Sequence, residues 1–62
     1  MRIESLHIGM KVRVSDDSDM GLSEVCGIIL NRSTGAEDIT LIAEDGGLVD
    51  GFTAGELWEI DD

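Results

Sequence analysis

Cysteine, histidine and aromatic residues are scarce in this 62-residue chain. It contains one cysteine, Cys26, one histidine, His7, and two aromatic residues, Phe52 and Trp58. A single cysteine cannot form a disulfide within the chain. Zinc sites in proteins use three or four ligands at short paired spacings, which one His and one Cys cannot supply. We therefore expect no internal disulfide, no metal site and no cofactor.

Basic residues are also few. Four Lys and Arg residues stand against 14 Asp and Glu residues, and the formal net charge is −10. Phosphate backbones and anionic membrane surfaces attract basic proteins, so direct binding to nucleic acid or to a membrane is not expected. The charge favours a protein partner with a basic surface and fast, salt-sensitive association with it. The alternative is that the charge only keeps a small protein soluble.

Long apolar runs are missing as well. No stretch is long enough to span a bilayer, and residues 1–10 lack the apolar segment of a signal peptide. We therefore expect an intracellular, cytoplasmic protein. A chain of 62 residues forms one domain, residues 1–62, which buries about 60% of its unfolded surface. Such a domain has little room for a deep substrate pocket.

The pattern along the chain predicts strands. Eight glycines are scattered through the sequence, and no stretch keeps a 3.6-residue apolar period. Five short apolar or alternating segments, separated by turn residues, predict strands at 10–14, 25–30, 39–43, 48–52 and 57–60. Gly27 predicts a bulge or sharp bend in the second strand, and residues 44–47 (EDGG) predict a tight hairpin. Thr53, with Glu56 three residues later, predicts one helical turn before the last strand.

Two parts of this pattern resemble a known fold. Residues 8–14 (IGMKVRV), followed by a polar loop and then residues 27–29 (GII), are similar to the opening of SH3-like barrels of the KOW and Tudor type. Residues 55–60 (GELWEI) are similar to the short turn and closing strand of those barrels. Closure also suits a short chain because it removes sheet edges. We therefore predict an all-β fold: a five-stranded SH3-like small barrel with one short helical turn before the last strand.

The resemblance implies a fold and not an activity. KOW-type barrels commonly bind RNA or ribosomal partners through basic and aromatic residues, and Tudor-type barrels read methylated side chains with an aromatic cage. Two aromatic and four basic residues are too few for either kind of site. We therefore do not expect this chain to bind the ligands of those domains.

Apolar residues fall on both faces of the second and third predicted strands. Strict alternation places Val25, Gly27 and Ile29 on one face of the second strand and Cys26, Ile28 and Leu30 on the other. We predict one core that contains Val12, Val14, Ile29, Leu41 and Trp58. A second apolar set then needs cover from the N-terminal segment (Ile3, Leu6, Ile8), from another subunit or from a partner. That set comprises Cys26, Ile28, Leu30 and Ile42.

Two other groups of residues lack the spacing or the environment that a functional site requires. Asp16, Asp17, Asp19 and Glu24 suggest a calcium loop, but the glycine and glutamate after Asp17 do not fall at positions six and twelve, as an EF-hand requires. We expect a solvated acidic loop there.

Cys26 and His7 could form a nucleophilic pair, but a thiol within an apolar strand stays protonated and inert. We therefore do not expect an enzyme.

Two functions remain open. The first is a non-catalytic protein-binding module with an acidic surface; in a sharper form it is an inhibitor that mimics nucleic acid, as small phage-type anti-defence proteins do. Carboxylates in rows would then present charge as phosphates do, and the candidates are Glu44, Asp45, Asp50, Glu56, Glu59, Asp61 and Asp62. The second is a homo-oligomeric structural or assembly subunit that dimerises through Cys26, Ile28, Leu30 and Ile42.

Overall fold

One antiparallel sheet of five strands makes up the fold. The computed structural model describes residues 2–14 and 21–60. The strands are β1 (Lys11–Val14), β2 (Ser23–Leu30), β3 (Glu37–Ile42), β4 (Leu48–Phe52) and β5 (Leu57–Glu59). A 3-10 turn (Ile3–Ser5) precedes β1, and another (Ala54–Glu56) leads directly into β5. The predicted all-β fold with a helical turn before the last strand is confirmed.

The bounds of β4 agree with the prediction at both ends, and the start of β1 and the ends of β3 and β5 each differ by one residue. The larger differences are at two starting points. β2 begins two residues earlier than predicted, at Ser23, and β3 begins at Glu37, inside the segment predicted as a turn. β3 is longer than predicted because Glu37 pairs with Leu30 on β2. The local sequence does not show this contact between strands. Within the described ranges the helical segments are single 3-10 turns, and none has the length or apolarity to cross a membrane.

The strands lie in the order β4-β3-β2-β1-β5. β5 therefore returns beside β1, where Val14 pairs with Leu57, while β4 and β5 are the two edges of the sheet. The chain just before β1 already pairs with β2, since Val25 N donates to Met10 O at 2.9 Å. This order is compatible with a small barrel-like fold.

Two bulges lie opposite the same residue, Thr40. The register of β2 against β3 shifts between Val25 and Gly27, so Cys26 is the extra residue on β2. The register of β3 against β4 shifts across Thr40 as well, next to Gly51, whose φ is +87°. A bulge bends its strand and increases the local twist. Two bulges at one position therefore bend the sheet there. The predicted bulge at Gly27 is confirmed.

The core lies on one face of the sheet. Ile3, Ile28 and Phe52 pack against a cluster of buried side chains: Leu6, Met10, Val12, Val14, Val25, Ile39, Leu41, Ala54 and Leu57. From the predicted core, Val12, Val14 and Leu41 are confirmed. Of the N-terminal residues predicted to cover apolar surface, Leu6 is buried and Ile3 packs on the core, but Ile8 is exposed.

The predictions that Ile29 and Trp58 are core residues are wrong, since their side chains are 63% and 65% exposed. The bulge at Cys26 reverses the alternation of β2, because Ile28 now pairs with the fully buried Ile39. Ile29 therefore points away from the core. In β5 it is Leu57 that is buried, so the following residue, Trp58, lies on the opposite face.

Candidate protein-binding surface

The face of the sheet opposite the core carries both charged and apolar side chains. Four residues form one row across β1, β2, β3 and β4, because each is the register partner of the next: Lys11, Glu24, Ile42 and Leu48. Their chain neighbours Val12, Val25 and Leu41 are fully buried, so the row faces outward. We call this side of the sheet the outer face; it comprises Lys11, Arg13, Glu24, Ile29, Asp38, Thr40, Ile42, Leu48, Asp50 and Trp58.

Large apolar side chains are exposed on the outer face. Leu48 is 70% exposed on the edge strand β4, and Ile29 is exposed on β2. Trp58 is exposed on the other edge strand, β5, where Arg13 is its register partner. Tryptophan and arginine are the residue types most enriched among the energetic anchors of protein interfaces. The outer face therefore offers apolar contact area between charged groups.

Four of the predicted binding carboxylates are exposed. Glu44 and Asp45 lie in the turn between β3 and β4, Asp50 lies on β4, and Glu59 lies on β5. Glu44, Asp45 and Asp50 therefore belong to one hairpin. β4 and β5 are opposite edges of the sheet, so Asp50 and Glu59 lie on strands that are not neighbours. Asp61 and Asp62 lie outside the described residues.

Two of the predicted carboxylates hold turns. Glu56 is half-buried, and its Oε2 accepts hydrogen bonds from the Thr53 amide at 2.8 Å and the Thr53 hydroxyl at 3.3 Å. This is the capping box that the sequence predicted. Asp45 Oδ1 accepts from the Gly47 amide at 2.9 Å. Both carboxylates therefore stabilise the turns in which they lie.

Two further carboxylates, which the sequence analysis does not single out, hydrogen-bond to distant parts of the chain. Glu37 Oε1 accepts from the Ala54 amide at 2.8 Å, which anchors the second 3-10 turn. Asp38 Oδ1 accepts from the Gly51 amide at 2.9 Å, next to the bulge in β4. Each pair is more than ten positions apart in the chain, so only the register of the sheet brings the partners together.

The four residues of the predicted apolar interface lie in different parts of the structure. Ile28 packs against the core, and Cys26 is the half-buried extra residue of the bulge. Leu30 is 41% exposed at the end of β2, whereas Ile42 lies on the outer face beside Leu48. Because the bulge changes the face on which each β2 residue lies, these four residues do not form one patch. The exposed apolar residues of the outer face are Ile29, Leu48 and Trp58.

The described side chains do not assemble a metal centre. Residues 2–14 and 21–60 contain no group of three or more His, Cys, Asp or Glu side chains suited to a metal ion. Glu24, one member of the suggested calcium loop, forms an ion pair with Lys11 instead. The other members, Asp16, Asp17 and Asp19, lie outside the described residues. His7 is exposed and Cys26 is half-buried.

Comparisons of the chain with protein-family models, with curated proteins and with solved structures return no match. A function for this protein therefore has to be inferred from its charge, its exposed side chains and its surface shape.

Proposed function

We propose that this protein is a non-catalytic protein-binding module whose acidic surface docks a partner with a basic surface. The observation that carries the proposal is that the carboxylates lie at the surface with few basic partners. Among the described residues every carboxylate is exposed or half-buried, and the one ion pair joins Lys11 to Glu24. Eight of the nine carboxylates in the described part of the chain therefore remain at or near the surface without a basic partner there. Uncompensated surface charge steers association with oppositely charged proteins.

Exposed apolar side chains support a binding role for this surface, beyond the role of its charge in solubility. A protein interface typically has an apolar centre and a polar rim. On the outer face, Leu48 and Asp50 are two residues apart on β4, and Ile29 pairs with Asp38 across β2 and β3. A surface needed only for solubility gains nothing from large exposed apolar groups. The mixture suits a partner that has both basic and apolar groups.

In its sharper form the module is an inhibitor that mimics nucleic acid, a cytoplasmic protein of the phage anti-defence type. Glu44 and Asp50 on one hairpin would then occupy a basic groove, where arginine side chains pair with carboxylates. The barrel would be of the KOW or Tudor type.

Affinity capture with matched charge reversals tests the proposal. The immobilised protein is incubated with a lysate of its native host at low and at high salt, and the captured protein is then purified for titration. We expect Asp50→Lys to abolish binding and Glu4→Lys to preserve it, because Glu4 carries the same charge in the N-terminal 3-10 turn, away from the outer face. Binding should weaken steeply with salt, and duplex DNA should compete if the protein mimics nucleic acid. Binding that is insensitive to both Asp50→Lys and salt would refute the proposal.

A second candidate function is a homo-oligomeric structural or assembly subunit. The observation that favours it is the exposed apolar group Leu48 on the edge strand β4, beside Ile42. Edge strands with exposed apolar side chains are prone to pair with another chain. Light scattering at high protein concentration separates the two functions. A dimer that Leu48→Glu dissociates would support the assembly role, whereas a strict monomer would exclude it.

A further inference from the structure

The edge strand β4 is paired on one side only. β3 lies on that side, and within residues 2–14 and 21–60 no strand pairs with the other side of β4. Residues 48–51 of the strand are all exposed. An edge strand presents N–H and C=O groups with which a further strand can pair. The open side of β4 is therefore a surface on which a partner's chain can extend the sheet.

The hydrogen bonds of the hairpin turn show which backbone groups point to the open side. Ala43 N donates to Gly47 O at 2.8 Å, so these two residues form a hydrogen-bonded pair. Hydrogen-bonded and non-hydrogen-bonded pairs alternate along an antiparallel ladder. The next pair, Ile42 and Leu48, is therefore a non-hydrogen-bonded pair. It follows that the N–H and C=O of Leu48 point to the open side of β4, whereas those of Val49 point toward β3.

The core is incompletely covered at β4. Val49 is the register partner of the fully buried Leu41, and register partners lie on the same face of a sheet. Val49 therefore faces the core side, yet it is 40% exposed. On the outer face, Leu48 is exposed to a greater degree. A strand added beside β4 would bury apolar surface on both faces of the sheet, which favours its binding.

The charge of the β3–β4 hairpin, residues 37–52, selects the kind of chain that fits this edge. The hairpin contains no basic residue and five carboxylates: Glu37, Asp38, Glu44, Asp45 and Asp50. A second copy of β4 would bring carboxylates together, and like charges on paired strands are destabilising. A basic chain would be attracted instead. Asp50 lies on the outer face two residues after Leu48, so its carboxylate is close to the open backbone groups.

We propose that β4 binds an extended segment of the basic protein partner as a sixth, antiparallel strand. The inference rests on the proposed function and names the form in which the partner binds. The partner residue opposite Leu48 exchanges both backbone hydrogen bonds with it and lies on the outer face. There a basic side chain packs its methylene stem on Leu48 and directs its charge to Asp50. The adjacent partner residues lie on the core side, where an aliphatic side chain covers Val49. The segment therefore alternates basic and aliphatic residues.

An NMR titration with the blocked pentapeptide acetyl-Lys-Val-Lys-Val-Lys-amide tests this assignment on the intact ¹⁵N-labelled protein. In two control peptides either the lysines or the valines carry an N-methyl group, which removes the backbone donor and keeps the side chains and the charge. In the proposed pairing the lysine N–H groups point toward β4 and the valine N–H groups point to solvent. Methylation of the lysines should weaken binding about fivefold or more, the effect of one lost hydrogen bond. Methylation of the valines should leave the affinity unchanged.

Amide hydrogen exchange identifies the bond that the peptide makes. In the free protein the Leu48 amide should exchange fast and the Val49 amide slowly, because only the Val49 amide points toward β3. At a peptide concentration of ten times Kd, exchange at Leu48 should slow by about tenfold, since roughly one protein molecule in eleven is then free. The Val49 amide serves as the internal control.

Two neutral variants test the contribution of charge. Asp50→Asn removes the carboxylate beside Leu48 and should weaken peptide binding about two- to fivefold, as an exposed ion pair does. Glu4→Gln removes the same charge from the N-terminal 3-10 turn and should leave the affinity unchanged. Amide signals of residues away from the substituted position should match those of the wild type in both variants, which establishes that the fold is retained.

Several outcomes would overturn the assignment. Equal binding of all three peptides would mean that the protein attracts positive charge without pairing to the peptide backbone. Weakening by the methylated valines alone would rule out the antiparallel strand. A slowly exchanging Leu48 amide in the free protein would mean that the open side of β4 is already occupied. These failures would leave the proposed function intact, because Asp50-dependent partner capture tests it separately. Backbone pairing of the peptide at Leu48 without any captured partner would instead support strand addition and refute the proposed function.

Discussion

Truncation of two leucines, one on each face of the sheet, tests the register most directly. Leu41 in β3 is fully buried and pairs with Val25 and Val49. Leu48 in β4 is 70% exposed. Leu41→Ala and Leu48→Ala remove the same atoms from the same residue type. Any difference between their effects on stability therefore reports burial alone.

The expected magnitudes are well separated. Truncation of a buried leucine to alanine typically costs about 2–5 kcal/mol, because transfer free energy is lost and a cavity remains. An exposed substitution usually changes stability by less than about 0.5 kcal/mol. A domain of this length has a total unfolding free energy of roughly 3–9 kcal/mol, at about 0.05–0.15 kcal/mol per residue. Leu41→Ala therefore removes a large part of the stability, and Leu48→Ala removes little.

Urea denaturation followed by far-UV circular dichroism measures both effects. With a slope near 1 kcal/mol per molar urea, Leu41→Ala should lower the midpoint by roughly 2 M or more. If that variant does not fold, Ile39→Val at another fully buried site offers a milder loss of about 0.5–1.5 kcal/mol. Equal destabilisation by Leu41→Ala and Leu48→Ala would show that the assigned faces of β3 and β4 are wrong.

Three further predictions concern the turns and the tryptophan. Glu56→Ala should destabilise the protein by about 1 kcal/mol in urea denaturation, since it removes the cap on the Thr53 amide, and Glu56→Gln should recover part of the loss. Gly51→Ala should lower the free energy of unfolding by about 1–2 kcal/mol, because φ at Gly51 is +87°. Gly55→Ala, at a site with open space and no positive φ, should be neutral or stabilising. Similar losses of stability at both glycines would contradict the assigned backbone. Acrylamide should quench Trp58 fluorescence almost as well in the native as in the unfolded protein, and strong native protection would mean that Trp58 is buried.

Local pattern in the sequence was sufficient to predict the elements of this fold. The alternating residues 10–14 contain β1 (Lys11–Val14), and residues 44–47 lie in the turn between β3 and β4. The capping box of Thr53 and Glu56 requires only residues three positions apart, so its signal is local. The composition likewise fixed the acidic charge and the scarcity of metal ligands. Each of these properties depends on neighbours along the chain.

The face on which a side chain lies was decided only by the tertiary structure. Gly27 predicted a bulge, but only the pairing with β3 shows that Cys26 is the extra residue and that Ile28, not Ile29, faces the core. Leu57 pairs with Val14 and takes the interior position, so Trp58, which the sequence analysis predicts in the core, lies on the opposite face. One inserted residue reverses every later position of a strand, because side chains alternate with period two.

The candidate site depended on the tertiary structure to a still greater degree. Lys11, Glu24, Ile42 and Leu48 come from four strands and form a row only because the strands pair in one register. Sequence could identify Glu44 as an acidic turn residue, but not that the strand after that turn is an edge of the sheet. Propensity and charge are properties of individual residues and their neighbours, whereas a binding surface is made by contacts between residues far apart in the chain.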